Sequence, residues 1–219
     1  IGYLDGVSKT TYFKYNIMVN IHLGCGDTIG HSWQNFDSSP ILILKKMKSF
    51  FFKNEINLNK ITFGNIVKKK LCEDNTADNI YFSHVLEHMN FSDAKKSLKN
   101  IYKMMKSEGS LRIVVPSLEK RIDKYLINKD ANEFIKSLHF FDISSENSLF
   151  RKIKFFIGNS RHRWMYDANS LKNILEENGF KKIRPCKFGD SGIKVFEEVE
   201  RLDRFLDDGY DALAFHCIK

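Results

Sequence analysis

Apolar runs alternate along the chain with glycine-containing or polar turns, and this pattern predicts strands and helices in alternation. The clearest part is the stretch 18–37. Its apolar run at 18–23 fits a buried parallel strand. Gly24 and Gly26 then allow a tight turn and a close approach of the backbone to a ligand, and a second short strand ends on Asp37. Taken alone, this stretch also fits a strand and a glycine turn without any ligand.

The same pattern predicts the remaining elements. Further strands are predicted at 61–63, 78–83, 111–115, 182–188 and 212–218. Helices are predicted at 40–52, from the N-cap Asn90 to the C-cap Gly109, after the cap Ser117, at 131–138, at 149–157, from Asp167 to Gly179 and at 195–208. The helices at 117–163 form an insertion that we expect to cover the substrate side.

An acid at the end of the second strand is where doubly wound proteins bind ribose hydroxyls, so the stretch 18–37 favours a nucleoside ligand. A dinucleotide fingerprint requires a third glycine and an acid about 20 residues after the first glycine. Here Ile29 stands at the third glycine position, and Asp37 follows Gly24 after only 13 positions. The pattern therefore departs from that of NAD-binding proteins.

Three motifs carry a family resemblance. Leu-Gly-Cys-Gly at 23–26 resembles the first motif of class I S-adenosylmethionine (SAM) dependent methyltransferases. The segment 76–88, which contains Leu-Glu-His, is similar to the family's fourth strand and the residues after it. The segment 106–116 is similar to the turn into the family's fifth strand. The segment from Tyr166-Asp167 to Gly179-Phe180 resembles the family's last helix. The resemblance covers roughly residues 18–185.

The resemblance implies a Rossmann-like, doubly wound α/β fold with a seven-stranded sheet, its last strand antiparallel and a helical insertion after strand five. It also implies SAM as cofactor, bound at the carboxyl ends of strands one, two and four. Backbone groups of Leu23, Gly24, Cys25 and Gly26 would hold the methionine end, and Asp37 would bind the ribose hydroxyls. Ser38 and Ile66 would flank the adenine, and Asn65 would accept from the adenine amino group in place of the family's usual acid, with a plain loop asparagine as the alternative. Ser83, at the end of strand four, is the remaining cofactor candidate. His22 departs from the family, which usually has an acid there, and the link from Asp27 to Trp33 is too short for the usual helix.

Two sets of residues are candidates for the chemistry. His84 follows strand four, and a histidine, which titrates near neutrality, suits a general base for a hydroxyl acceptor. A structural role for His84 is the alternative. Arg161, Arg163 and Trp164 would bind a phosphate- or carboxylate-bearing acceptor, with a solvated basic turn as the alternative. No metal ligands are predicted.

Composition sets the outer bounds. The 219 residues suit one domain at 18–219, and four scattered cysteines suggest neither a disulfide framework nor a zinc site. No apolar run is long enough for a membrane span or a signal peptide, so we expect a cytoplasmic protein. Residues 1–17 carry no clear period and could be a non-native extension before Met18 or a helix that covers the site.

The predicted function is therefore methyl transfer to a small-molecule or glycan-precursor acceptor, anionic or sugar-linked, at oxygen. A non-catalytic SAM-binding module is the alternative. The net charge of +8 raises a nucleic-acid or protein methyltransferase as a third reading. Solvated lysines explain that charge, and the Asp-Pro-Pro-Tyr and Asn-Pro-Pro-Tyr motifs of amino-group DNA methyltransferases are absent.

Overall fold

A computed structural model of the chain describes residues 18–40, 60–140, 161–207 and 209–219. The extension 1–17, the predicted helix at 149–157 and all but the first residue of the predicted helix at 40–52 lie outside these ranges.

The strands follow the predicted order, with some changes of boundary. They are β1 (Asn20–Leu23), β2 (Gln34–Asp37), β3 (Ile61–Phe63), β4 (Ala77–Ser83), β5 (Met105–Val115), β6 (Lys181–Pro185), β7 (Leu206–Asp207), β8 (Tyr210–Asp211) and β9 (Leu213–Ile218). The main sheet has seven strands in the order β3-β2-β1-β4-β5-β9-β6, and β7 pairs with β8 alone. Strands β1 to β5 are parallel, and β9 runs antiparallel to both of its neighbours. The predicted fold class is confirmed.

The helices are α1 (Phe91–Met104), α2 (Leu118–Asn128), α3 (Ala131–Ser137), α4 (Ala168–Glu177) and α5 (Leu202–Phe205). The N-caps predicted from sequence are present. The side chains of Asn90, Ser117 and Asp167 accept hydrogen bonds from backbone amides in the first turns of α1, α2 and α4. For α4 this is a full capping box with Ser170.

Residues on the two faces of the sheet enter two different cores. Ile80 and Phe82 of β4 pack in the larger core, with α1 and α4. Tyr81, between them, belongs to a smaller core on the opposite face, because side chains alternate along a strand. That second face is covered by residues 193–205, which form a 3₁₀ turn (Lys194–Glu198) and α5. The segment predicted as one helix at 195–208 is therefore broken into two short ones and the strand β7.

A buried ion cluster stands on the second face. Arg112 of β5 is fully buried, pairs with Glu200 and bonds Asp190 at 2.9 Å. It also donates to the Lys187 carbonyl at 2.9 Å. Removing one partner of such a buried pair is costly, since a desolvated charge is left behind.

One predicted cap is wrong. Gly109 does not end α1, which stops at Met104, and it lies instead inside the long strand β5. A Cβ at this position would come within 2.9 Å of the Lys106 carbonyl oxygen and 3.0 Å of that of Ala77. Gly109 is therefore needed for close backbone approach, where the β4–β5 register is irregular.

The described part of the predicted insertion contains the helices α2 and α3. Arg121 of α2 is buried and ties this region together. It donates to the carbonyls of Ser117 and Ser137, at 3.1 and 2.8 Å, and pairs with Asp207 of β7.

Candidate active site

A cavity of about 470 Å³ opens at the carboxyl ends of β1 to β4. We call it the cleft. In open α/β sheets this edge is where ligands bind, and the volume is in the range of small-molecule sites. Its lining residues are Leu23, Gly24, Phe36, Ser38, Gly64, Asn65, Ile66, Val67, Lys68, Leu71, Phe82, Val85, His88, Met89, Asp93, Lys96 and Arg163.

Gly24 lines the cleft at the end of β1. Its φ of +67° lies in the left-handed region, and a Cβ there would stand 2.1 Å from Cγ2 of Val85. Its amide donates to the Phe36 carbonyl at 2.8 Å, which joins the ends of β1 and β2. Only glycine satisfies both the backbone and the space, so the backbone itself faces the cleft here.

Asp37 holds the glycine loop in place. Its Oδ2 accepts the Gly26 amide at 2.9 Å, and its Oδ1 accepts the Ser39 amide at 2.6 Å. A carboxylate has about four acceptor positions, so both oxygens can still accept a further hydroxyl. Asp37 thus has a structural task besides its predicted ribose contact.

Asn65 and Ile66 lie in the turn after β3. The Asn65 side-chain oxygen accepts the amides of Val67 and Lys68, at 3.0 and 3.2 Å. This oxygen is therefore already occupied by the turn, and its predicted contact with an adenine amino group would compete with it. Ile66 is buried and offers an apolar wall.

The structure brings together five of the nine predicted cofactor residues in the wall of the cleft. These are Leu23, Gly24, Ser38, Asn65 and Ile66. The other four, Cys25, Gly26, Asp37 and Ser83, do not line it. Cys25 packs against Ile61 on the far side of the turn, and its burial raises the pKa of the thiol to about 12.

His84 stands at the end of β4, outside the wall of the cleft. Its φ is +52°, and its Nε2 lies 2.7 Å from the Arg204 carbonyl oxygen, which can only accept. Nε2 therefore carries the proton, and Nδ1 faces Oε1 of Glu87 at 3.3 Å. Burial lowers the pKa of His84, but the carboxylate of Glu87 outweighs burial and raises it. These contacts favour an imidazolium that positions Glu87, and the predicted role as general base stays a prediction.

Glu87 is fully buried in the short 3₁₀ turn at Leu86–His88. Among the described residues, neither carboxylate oxygen accepts a hydrogen bond of good geometry. Burial raises the pKa of Glu87, but the nearby imidazoles of His84, His88 and His162 outweigh burial and lower it. The carboxylate is therefore ionised and surrounded by imidazoles.

The segment 161–164 is fastened to this turn. The amides of Arg163 and Trp164 donate to the Glu87 carbonyl at 2.7 and 3.1 Å. Arg163 borders both the cleft and a separate, smaller depression, whereas Arg161 borders only the smaller depression. Trp164 packs on Phe91, with ring centroids 5.2 Å apart. Of the three predicted substrate residues, only Arg163 therefore reaches the cleft.

The sequence predictions missed His162 and the roles of Glu87 and His88. Potential ligand atoms of these three side chains all lie within 4.8 Å of one another. His162 is buried between two exposed arginines, and burial lowers its pKa to about 4. His162 lies more than 70 positions after Leu-Glu-His, and only the tertiary fold brings them together. The sequence spacing of these residues therefore did not predict their contact.

Comparison with known protein families identifies the class of this protein. The family described as "Methyltransferase domain" matches residues 22–184, and the chain belongs to that family. The predicted class, a SAM-dependent methyltransferase with SAM as its cofactor, is thereby confirmed.

Two solved structures share the fold. One is a SAM-dependent methyltransferase from Archaeoglobus fulgidus, with a TM-score of 0.51 and 19% identity, covering 92% of this chain and 86% of that one. The other is phosphoethanolamine N-methyltransferase 2 from Haemonchus contortus, in complex with phosphomonomethylethanolamine and S-adenosylhomocysteine. It has a TM-score of 0.50 and 14% identity, and the alignment covers 92% of this chain but only 48% of that one.

No curated protein matches the chain in sequence. Within the described ranges, none of the helices has the length and apolar character needed to cross a membrane.

Proposed function

We propose that this methyltransferase transfers the methyl group of SAM to an oxygen of a small anionic or sugar-linked acceptor that binds beside Arg163. The observation that carries the proposal is the position of Arg163 at the wall of the cleft, next to His88. Its backbone is fixed by the hydrogen bond to Glu87, so the guanidinium starts from an anchored point. An arginine fork suits phosphate and carboxylate groups.

The residues of the cleft fit SAM. Gly24 lines the cleft without a side chain, so the backbone of Leu23 to Gly26 would hold the methionine end. Asp37 would accept the ribose hydroxyls through its remaining acceptor positions, and Ser38 and Ile66 would flank the adenine. When bound, SAM supplies an electrophilic methyl group. The protein's task is then to align an acceptor atom, which supplies much of the rate.

The charges around the cleft support an anionic acceptor. The described lining residues include the cations Lys68, Lys96 and Arg163, against the single acid Asp93. Lys96 and Asp93 lie 3.5 Å apart and offset each other. Lys68 and Arg163 therefore leave the wall positive.

The proton of an acceptor hydroxyl needs a base, for which His84 was predicted. Its Nε2–H is bound to the Arg204 carbonyl and its Nδ1 faces Glu87. His84 would therefore act by holding the side chain of Glu87 in position. If it is instead a true base, His84→Ala lowers kcat by roughly 10²–10⁴ with SAM binding intact. A near-normal kcat would leave it a positioning residue.

The two arginines provide the test of the acceptor class. Acceptors in matched charged and neutral forms are screened with methyl-labelled SAM, and the KM of the best one is measured. Arg163→Ala should raise the KM of an anionic acceptor about tenfold or more, as expected for a charged hydrogen bond. Arg161→Ala is the matched control, since Arg161 is also exposed but borders the other depression. Equal KM values in both variants would contradict the proposal.

Calorimetry with S-adenosylhomocysteine separates the alternatives. Binding together with turnover of a small anionic acceptor supports the proposal. Binding without turnover of any acceptor in the screen would instead support a non-catalytic SAM-binding module.

A further inference from the structure

We propose that Glu87, His88 and His162 form a binding site for one divalent transition-metal ion, with zinc as the preferred ion, beside the cleft. We call these three residues the metal triad. The inference goes beyond the proposed methyl transfer and does not depend on the identity of the acceptor.

The donor set is the first argument. Two imidazoles and one carboxylate are the ligands of catalytic zinc sites, which leave a fourth position for water or substrate. Soft thiolate ligands are not involved, and hard ions such as magnesium prefer oxygen ligands throughout. The triad therefore suits zinc and its neighbours in the first transition series.

The second argument is distance. Nε2 of His88 lies 3.8 Å from Oε1 of Glu87, and all three potential ligand atoms lie within 4.8 Å of one another. Two atoms bound to one tetrahedral zinc ion at about 2.1 Å lie roughly 3.4 Å apart. Small side-chain rotations therefore suffice to close the site.

The third argument is that these buried groups lack hydrogen bonds of good geometry, although Oε1 of Glu87 also faces Nδ1 of His84 at 3.3 Å. Glu87 is fully buried, and its two carboxylate oxygens accept no hydrogen bond of good geometry from the described residues. Nδ1 of His162, in a side chain that is 8% exposed, also lacks a hydrogen-bond partner among them. Buried polar atoms are normally satisfied, and each exception calls for an explanation such as an ion.

The fourth argument is the orientation of His88. Its Nδ1 lies 3.0 Å from the Arg161 carbonyl oxygen, which can only accept, so Nδ1 carries the proton. The lone pair of the neutral ring is then on Nε2, directed at the carboxylate of Glu87. A backbone carbonyl that fixes the far nitrogen of a histidine is the usual support of a metal-bound imidazole. His88 also lines the cleft, so the bound ion would lie at its wall.

A proton on an imidazole could supply the positive charge instead, and His84 is close enough to do so. The experiment must separate an ion from a proton. The tag-free full chain is dialysed against a chelator and then titrated with zinc chloride in competition with a chromophoric zinc indicator. We expect one ion per chain, with a dissociation constant below 1 µM, of the order seen for built zinc sites.

The variants locate the site. His162→Asn and Glu87→Gln should each weaken zinc binding by at least 30-fold, since even loss of an outer contact costs 10- to 100-fold. His216→Asn is the matched control: His216 is also 8% exposed and its Nδ1 also lacks a partner, but it lies in β9, away from the triad. Binding that is unchanged in His162→Asn, or equally weakened in His216→Asn, would overturn the proposal.

A second measurement needs no variant. Cobalt(II) added to the metal-free wild-type chain should give intense visible bands of a low-coordinate ion with nitrogen ligands. A spectrum like that of the hydrated ion would refute the site even if both triad variants failed to fold. Binding of S-adenosylhomocysteine is measured on the same metal-free sample. If S-adenosylhomocysteine does not bind, the result counts against the proposed function. The metal site is decided by the zinc and cobalt measurements.

Discussion

Replacement of Gly24 by alanine tests the link between the glycine turn and the cleft. The change adds one methyl group at a residue with φ of +67°, where the methyl carbon would lie 2.1 Å from Cγ2 of Val85. Gly26 offers the matched control. Its φ is +57°, but a Cβ there meets no atom of the described residues within 4 Å. The two variants therefore share the backbone strain and differ only in the clash.

The magnitudes follow from these two terms. A non-glycine residue in the left-handed region costs about 1–2 kcal/mol. Overpacking of a closed space typically adds about 1–3 kcal/mol. We therefore expect Gly24→Ala to lower the free energy of unfolding by about 2–5 kcal/mol and Gly26→Ala by about 1–2 kcal/mol. Because Val85 lines the cleft, its displacement in Gly24→Ala should also weaken the binding of S-adenosylhomocysteine.

Urea unfolding and calorimetry measure the two effects. The double variant Gly24→Ala/Val85→Ala should recover most of the overpacking term, seen as a favourable coupling energy of about 1 kcal/mol or more in a double-mutant cycle. If Gly24→Ala were no more destabilising than Gly26→Ala, or if the coupling were zero, the close contact with Val85 would not govern this turn.

Three further predictions concern charged and titrating groups. Asp37→Ala should weaken SAM binding by about 1–3 kcal/mol in calorimetry, because it leaves ribose hydroxyls and two loop amides without their acceptor; unchanged affinity would refute the ribose contact. Glu200→Gln should cost about 3 kcal/mol in urea unfolding, because the buried guanidinium of Arg112 loses the buried one of its two counter-charges, whereas the exposed Glu197→Gln should stay within about 0.5 kcal/mol. Burial lowers the pKa values of His22 and His216 to about 4, so the fold binds fewer protons than the unfolded chain. Below pH 6.5 the unfolded chain takes up protons at these histidines and the fold does not, so the free energy of unfolding falls as the pH drops towards 4, by about 1.4 kcal/mol per histidine at pH 5.5. A flat urea-unfolding profile between pH 7 and 5 would contradict this.

Local patterns predicted the elements that depend on local physics. The apolar run before Gly24 became β1, and the caps Asn90 and Asp167 start helices as expected, because each depends on residues within one turn. Gly109 was misassigned for a related reason. A glycine after a helical face usually marks a C-cap, but here the need is a close approach of strand backbones.

Local sequence patterns could not predict the contacts between segments that are distant along the chain. Glu87 and Arg112 are charged residues, which are almost never fully buried unless paired, and nothing beside them along the chain signals their burial. The meeting of Glu87 with His162 requires the turn after β4 to touch the segment before α4, which only the tertiary fold specifies. Arg163 borders the cleft and Arg161 does not, and this difference likewise depends on the backbone path of three residues.

The position of β9 has a consequence for biosynthesis. It is made after every other strand of the sheet, yet it lies between β5 and β6 and pairs with both. Until it emerges from the ribosome, β5 presents an open edge, and open edges are templates for pairing with other chains. Arg112, on the same strand, also lacks its buried partner until Glu200 has been synthesised. Completion of the sheet therefore requires the synthesis of residues 213–218, and a nascent chain stalled before 213 would depend on chaperones for protection.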